Sequence, residues 1–141
     1  MNDRRNVTPD LNWLLDDVVN RAAGAQGAIV LSADGLQMGR SAGMSRDDSD
    51  YLAATASSLQ SLAKNASRHF SRGQVLQNMI EMERGYLFVL AAGRGACLAL
   101  LAEDSVNVEM IAYQMNRLVK QVGDYLEVAP RDARPPVPEA T

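Results

Sequence analysis

The chain has few of the residues from which catalytic and metal sites are usually built. Its 141 residues include one cysteine, Cys97, and one histidine, His69. A single cysteine excludes an internal disulfide, and the apolar run around Cys97 predicts a buried structural thiol. One histidine cannot form a metal site alone, and His69 stands near the end of a predicted helix, where it complements the helix dipole. The sequence therefore predicts no metal and no cofactor.

Strong net charge and long apolar runs are also missing. The net charge of −3 gives no indication of a basic surface that binds DNA or RNA. There is no apolar run of 18 residues and no signal-peptide core, which predicts a cytoplasmic chain without membrane insertion. No Gly-Lys-Ser/Thr sequence occurs. The chain should therefore not bind or hydrolyse GTP itself.

Two apolar runs stand out, residues 86–92 and 96–102, separated by Gly93-Arg94-Gly95. Each has strand length, and neither alternates apolar with polar residues, so both faces of each strand should be covered. The glycines of the intervening turn favour a short hairpin. These runs predict the central pair of strands of a sheet with helices on both sides.

The rest of the chain supplies the flanking elements. A helix capped by Thr8 precedes a hairpin over residues 27–41, for which Asp34-Gly35 predicts a type I′ turn. Ser45 begins a long helix that ends near Phe70. Its predicted apolar stripe consists of residues spaced three or four apart: Leu52, Thr55, Ala56, Leu59, Leu62, Ala63, Ala66 and Phe70.

A third strand over residues 74–82 carries polar side chains on both faces, which predicts a sheet edge. The last helix is predicted to be capped near Asp104 or Ser105. Residues 1–8 are expected to be flexible, residues 9–127 to form one domain, and residues 128–141, with four of the five prolines, to be a disordered tail. Hairpin connections then predict the strand order 2-1-5-4-3.

Apparent catalytic motifs have simpler explanations. The pattern from Gly39 to Gly43 matches G-x-S-x-G around Ser41, but the following helix starts at Ser45 and the only histidine lies at its far end. Ser61 and Lys64 fit S-x-x-K without its companion motifs. The acidic cluster at residues 47–50 is typical of a helix first turn. The sequence therefore predicts no enzyme.

Three stretches resemble the roadblock / dynein light chain domain: AAGAQGAIVLSADGL at residues 22–36, the Ser45-initiated helix, and GYLFVLAAGRGACLALLAE at residues 85–103. The resemblance covers about residues 11–126. It implies a three-layer, profilin-like α/β (α+β) fold, with two helices on one face of an antiparallel five-stranded sheet and the long helix on the other. It also implies a dimer formed through the third strand and the long helix.

The residues themselves are compatible with such a homodimer. The third strand lacks the proline and lysine that protect edges, and small residues in the middle of one helix face permit close approach of a second helix. The proposed interface is Asp50, Ala54, Ser57, Ser61, Lys64, Arg68, Leu76, Asn78 and Ile80. A solvated helix face with charges that complement the dipole remains the alternative.

The resemblance further implies a function, because bacterial members of the family regulate small Ras-like GTPases. It implies a regulator or scaffold that binds such a GTPase, and it is compatible with stimulated GTP hydrolysis, with scaffolding alone and with a sensor histidine kinase as a further partner. The proposed GTPase-binding residues are Arg46, Asp47, Asp50 and Asn65, for which plain solubility is the alternative. A light-chain-like adaptor or a small-molecule sensing domain is the competing hypothesis.

Overall fold

A computed structural model describes residues 11–128. The predicted cap at Thr8, the flexible segment 1–8 and the tail after residue 128 lie outside these residues. Three helices and five strands follow in chain order: α1 (Leu11–Arg21), β1 (Ala25–Leu31), β2 (Gln37–Arg40), α2 (Arg46–Phe70), β3 (Gln77–Met82), β4 (Gly85–Ala91), β5 (Cys97–Glu103) and α3 (Val108–Val128). The third strand is shorter than predicted: it begins at Gln77, and residues 74–76 precede it.

The five strands form one antiparallel sheet in the order β2-β1-β5-β4-β3, as predicted. The two apolar runs are its inner strands β4 and β5. Residues 87–90 and 97–100 are all buried, because helices cover both faces there. These runs therefore lack alternation of apolar and polar residues because both faces of each strand are covered, as predicted.

Helices α1 and α3 pack on one face of the sheet and α2 on the other. The first core contains side chains such as Leu15, Phe88, Leu100 and Met115. The second is smaller, and includes Leu52 and Ala56 of α2 against Ile29 and Val89 of the sheet. This is the three-layer arrangement that the resemblance implied.

The turn between β1 and β2 differs from the predicted type I′ turn. Of its residues only Gly35 has a positive φ, at 87°. The N–H of Gly35 donates to the carbonyl of Ser32, and the N–H of Ser32 donates to the carbonyl of Leu36. The loop thus has three residues, with glycine in the left-handed position and a bulge in the strand pairing nearby.

Helix α2 begins as predicted and packs differently. Ser45 is its N-cap, and its side chain accepts a hydrogen bond from the N–H of Asp48. The buried line, however, runs along one side of the predicted stripe, through Ser49, Leu52, Ala53, Ala56 and Gln60. Leu62 and Phe70 of the predicted stripe are exposed. The helix meets the sheet mainly through its first 15 residues, so its second half leaves apolar side chains uncovered.

Helix α3 starts later than the predicted cap at Asp104 or Ser105. Asn107 Oδ1 accepts a hydrogen bond from the N–H of Met110 at 3.0 Å, which is the N-cap geometry. Ser105 instead donates to Glu103. Several adjacent polar residues can cap a helix, and packing of Ile111 and Met115 in the core selects Asn107 here.

Candidate functional site

Strand β3 is an uncovered edge of the sheet. It is last in the strand order, and within residues 11–128 no backbone hydrogen bond joins its outer side to another element. Five of its six residues are exposed. Its sequence, QNMIEM, contains neither the lysine nor the proline that often protects an edge. Such a strand offers a row of N–H and C=O groups to a further strand.

The pairing of β3 with β4 shows which way the β3 side chains point. Ile80 is opposite Leu87 and Asn78 is opposite Val89, and both β4 residues belong to the core under α2. Residues directly opposite in a sheet share a face. Ile80 and Asn78 therefore lie on the α2 side, where Ile80 is 37% exposed.

The second half of α2 carries apolar side chains on the same side of the sheet. Leu62 is 66% exposed and Phe70 is 62% exposed. At 100° per residue they continue the line of Leu59, which packs against the core under α2. The exposed edge of β3 and the uncovered flank of α2, defined as Leu62, Ala66 and Phe70, are the candidate functional surface, called the β3–α2 surface below.

The opposite edge, β2, is protected by side chains of α1. Asn12 Oδ1 accepts a hydrogen bond from the N–H of Arg40 at 2.9 Å. Just after the strand, Asp16 Oδ1 accepts from the N–H of Ala42 at 2.6 Å. The two edges of the sheet therefore differ, because polar side chains already occupy backbone donors at β2 and none does so at β3 within the described chain.

The predicted dimer-interface residues lie in two places. Leu76, Asn78 and Ile80 belong to or adjoin the β3 edge, as the prediction requires. The six helix residues Asp50, Ala54, Ser57, Ser61, Lys64 and Arg68 lie along the flank of α2 that faces the turns at the end of the sheet: Gln37 donates to Asp50 at 2.7 Å, and Ser57 packs beside Gly35. Lys64 and Arg68 line one cleft with Gln74 and Val75, which directly precede Leu76, whereas Asp50 and Ala54 lie beside β2.

Three of the predicted GTPase-binding residues lie together. Arg46, Asp47 and Asp50 are exposed in the first two turns of α2, and Arg46 and Asp50 line an open groove of about 660 Å³ beside β2. Asn65 lies 15 residues after Asp50, which places it about 22 Å away along the helix. The four residues therefore lie along one helix without forming a single cluster.

The candidate catalytic groups have structural roles. Ser41 is buried, and its Oγ accepts a hydrogen bond from the N–H of Ala28 at 3.0 Å. Burial raises the pKa of Cys97 to about 11, and the nearby Lys64 ammonium opposes this rise. A thiol with such a pKa is a poor nucleophile at neutral pH. His69 is exposed and stacks edge-on against Phe70.

No group of three potential metal ligands occurs in residues 11–128. In the same part of the chain, no helix is both long and apolar enough to cross a membrane. Gln60 is not part of the predicted apolar stripe, and it is a buried polar side chain in the middle of α2. Its spacing of four residues from Ala56 and seven from Ala53 was the signal that could have placed it on the buried line.

Comparison with known proteins relates this chain to one family. The Roadblock/LC7 domain family matches residues 11–102. A Roadblock/LC7 domain from Streptomyces avermitilis is 39% identical with a TM-score of 0.80, over 84% of this chain and 99% of that one. A second crystal structure of a domain from the same organism is 44% identical with a TM-score of 0.67, over 80% and 98%.

A more distant structure shares the fold alone. Myxococcus xanthus MglB is 11% identical with a TM-score of 0.77, over 83% of this chain and 94% of that one. A comparison with curated proteins finds no match. The family match spans most of the described residues and includes the β3–α2 surface. The similarity to each Streptomyces domain extends over nearly the whole length of that domain. The chain therefore belongs to the Roadblock/LC7 domain family.

Proposed function

We propose that the chain forms a homodimer through the β3–α2 surface. The observation that supports this is the coincidence of an unprotected strand edge with an exposed apolar helix flank on the same side of the sheet. Pairing β3 with its own copy in antiparallel direction satisfies the free backbone groups and joins two five-stranded sheets into one of ten strands. The two α2 helices then lie side by side on one face.

The same two-fold arrangement covers the apolar side chains. Ile80 points to the α2 side of the sheet, and Leu62 and Phe70 extend from the helix toward solvent. A second copy of the same surface supplies apolar partners for all three. Burial of such side chains stabilises association by about 1.5–3 kcal/mol each, before the cost of association is counted. The proposed helix contribution consists of Leu62, Ala66 and Phe70, and the helix face from Asp50 to Arg68 predicted from the sequence is the alternative.

The dimer is proposed to act as a non-catalytic regulator or scaffold for a small Ras-like GTPase in a bacterial signalling complex in the cytoplasm. Family membership supports this role, since the roadblock resemblance implied it. The exposed first turns of α2, with Arg46, Asp47 and Asp50, offer charges of both signs for docking. This site lies beside β2, at the opposite edge of the sheet from β3, so dimerisation through β3 leaves it exposed for docking.

The dimer is tested by sedimentation velocity of the full chain at micromolar concentration. Ile80→Lys places a charge in the β3 edge and should shift the chain to monomer. Met38→Lys is the matched control, because Met38 is 39% exposed on the other edge strand and Ile80 is 37% exposed. A monomeric wild-type chain, or equal effects of the two variants, would contradict the proposed interface.

The GTPase partner is tested by a pull-down from a lysate of the source organism with either GDP or a non-hydrolysable GTP analogue. Recovery of a small P-loop GTPase, identified by mass spectrometry and enriched with the analogue, supports the proposal. Asp47→Arg should reduce its recovery, whereas Glu109→Arg, an exposed first-turn acid of α3, should not. If a folded, dimeric bait recovers no GTPase, the adaptor hypothesis replaces the regulator hypothesis.

A further inference from the structure

A concave site of about 480 Å³ lies at one end of the sheet, where the second half of α2 meets the turn between β4 and β5. Lys64 and Arg68 of α2 line one side, and Arg94 of the turn lines another. Gln60 also contributes to the lining. None of the described lining residues carries a carboxylate. We call this site the cationic cleft.

The positive charge of the cationic cleft has little internal compensation. Lys64 and Arg68 are four residues apart on one helix, a spacing at which like charges repel. Within residues 11–128 neither forms an ion pair, and Arg68 donates only to the neutral amide of Asn65. The chain as a whole has a net charge of −3. A local concentration of positive charge on an acidic protein is the arrangement that a bound anion relieves.

Gln60 gives a second, independent indication of a ligand. Its side chain is only 6% exposed. Its Oε1 accepts a hydrogen bond from Asn78 Nδ2 at 2.8 Å, and its Nε2 has no acceptor in the described part of the chain. A buried N–H group without an acceptor is unfavourable by about 1–3 kcal/mol. Because Gln60 lines the cleft, an oxygen atom of a ligand there can accept this hydrogen bond.

Arg94 is held at the cleft by the conformation of the turn. Its φ is 59° and the φ of Gly95 is 80°, so two successive residues are left-handed. Arg94 Nη2 lies 3.6 Å from Glu127 Oε1, and both side chains are about half exposed or more. Exposed pairs of this kind contribute little. Glu127 therefore acts as a weak competitor that an anion can displace.

The larger groove beside β2 does not share these properties. It also contains two arginines, Arg40 and Arg46, but Asp50 contributes a carboxylate to its lining. Arg40 Nη1 donates to Ser49 Oγ at 3.2 Å. The positive charge of this groove is partly compensated by Asp50, so the cationic cleft, whose described lining has no carboxylate, is the stronger candidate for an anion.

We propose that the cationic cleft binds a small phosphorylated molecule, with its phosphate oxygens between Lys64, Arg68 and Arg94 and one of them accepting from Gln60. Three cations around a volume of this size fit a compact group of several negative charges, such as a pyrophosphate, better than an extended acidic peptide. The aliphatic side chains of Val75 and Val119 at the same cleft leave space for an uncharged portion.

This site is independent of the proposed dimer. Lys64 and Arg68 lie on the flank of α2 opposite Leu62 and Phe70, since helix positions two residues apart differ by about 200°. Dimerisation through Leu62 and Phe70 therefore does not use the side chains of Lys64 and Arg68. Loss of dimerisation and loss of anion binding can be measured separately.

The test is isothermal titration calorimetry of the full chain with inorganic pyrophosphate and with ADP at low ionic strength, and with sulfate as the non-specific anion. Pyrophosphate and ADP should bind, and sulfate should bind at least about tenfold more weakly because it has fewer charges. Lys64→Gln and Arg68→Gln should each weaken pyrophosphate binding by about tenfold or more. Both positions are exposed, and circular dichroism checks that the variants are folded.

Two further variants make the test specific. Lys120→Gln removes the same charge from the only other lysine, which lies outside the cleft, and should leave binding unchanged. Glu127→Gln removes the competing carboxylate and should tighten binding by about two- to fivefold. Absence of binding at millimolar pyrophosphate, or equal effects of Lys64→Gln and Lys120→Gln, would overturn the proposal. So would binding of a polyglutamate peptide that Lys64→Gln weakens, in a chain that does not bind pyrophosphate, which would assign the cleft to an acidic protein segment.

Discussion

Asn78 Nδ2 donates a hydrogen bond of 2.8 Å to Gln60 Oε1, which connects the edge strand β3 with the long helix α2. Gln60 is buried and Asn78 is half-buried. The bond therefore fixes the position of the β3 edge relative to the helix. It joins the β3–α2 surface to the cationic cleft, because Gln60 also lines the cleft.

Removing one partner of this bond should destabilise the fold. Asn78→Leu leaves the buried Gln60 carbonyl without its donor, and we expect a loss of about 1–3 kcal/mol in the free energy of unfolding. Urea denaturation followed by circular dichroism measures this loss. Gln77→Leu, at the exposed neighbouring position, should change the stability by less than about 0.5 kcal/mol. Equal effects of the two substitutions would show that the bond contributes nothing.

Ser41 should contribute to the stability of the fold and have no catalytic role. Ser41→Ala removes the hydroxyl that accepts the N–H of Ala28, and the buried donor then lacks a partner. We expect a loss of about 1–3 kcal/mol in unfolding free energy. Ser58→Ala, at an exposed position of α2, is the control and should be neutral or slightly stabilising, since alanine favours helix. A stability unchanged by Ser41→Ala would contradict the structural role.

Cys97 should make stability depend on pH in the alkaline range. Its pKa is raised from 9.0 to about 11 by burial, so the folded state holds the thiol proton more tightly than the unfolded state. The corresponding stability is fully present below pH 9 and is lost as the pH rises from 9 through 11. Urea denaturation of the wild type and Cys97→Ala over this range measures the difference. A difference that does not change with pH would disprove the shift.

Thiol labelling gives a second measurement of the same property. At pH 8 the folded chain should react with a thiol reagent much more slowly than the urea-unfolded chain, because Cys97 is buried and protonated. Equal rates would show that the thiol is accessible.

The apolar flank of α2 should affect association more than folding. Leu62→Gln and Phe70→Gln each remove an exposed apolar side chain, and each should raise the dissociation constant of the proposed dimer by about tenfold or more. Analytical ultracentrifugation over a concentration series measures this constant. Tyr113→Gln is the control, because Tyr113 is 60% exposed on α3, on the other face of the sheet.

If Leu62→Gln, Phe70→Gln and Tyr113→Gln all leave the dissociation constant at its wild-type value, the interface lies elsewhere on the molecule. A dimer weakened as much by Tyr113→Gln as by Phe70→Gln would lead to the same conclusion. The unfolding free energy of the monomer should stay nearly unchanged, because both α2 side chains are mainly in contact with solvent.

Much of the fold was predictable because local signals agreed with the tertiary arrangement. The runs at residues 86–92 and 96–102 required burial on both faces, and only an inner hairpin provides it. Ser45 predicted the start of α2 because its side chain forms a local hydrogen bond to Asp48. The cap of α3 was misplaced, since Asp104, Ser105 and Asn107 are all suitable residues and the core packing of the helix selects among them.

The face that α2 buries was predicted less well. Apolar periodicity indicated Leu62 and Phe70, whereas the buried line includes the polar Ser49 and Gln60. A helix that crosses a sheet obliquely contacts it over part of its length only, so the pattern of the whole helix does not identify its contact face. The predicted interface residues of α2 extend from the groove beside β2, at Asp50, to the cleft before β3, at Arg68.

The sequence by itself determined the composition of the layers, the strand order and the unprotected character of β3, because these depend on local hydrophobicity, turns and edge residues. Only the tertiary structure brought Lys64, Arg68 and Arg94 around one cleft and directed Gln60 toward it. These residues come from a helix and a turn that are about 30 positions apart in the chain. Their proximity depends on how α2 lies across the sheet, and no local pattern encodes that angle.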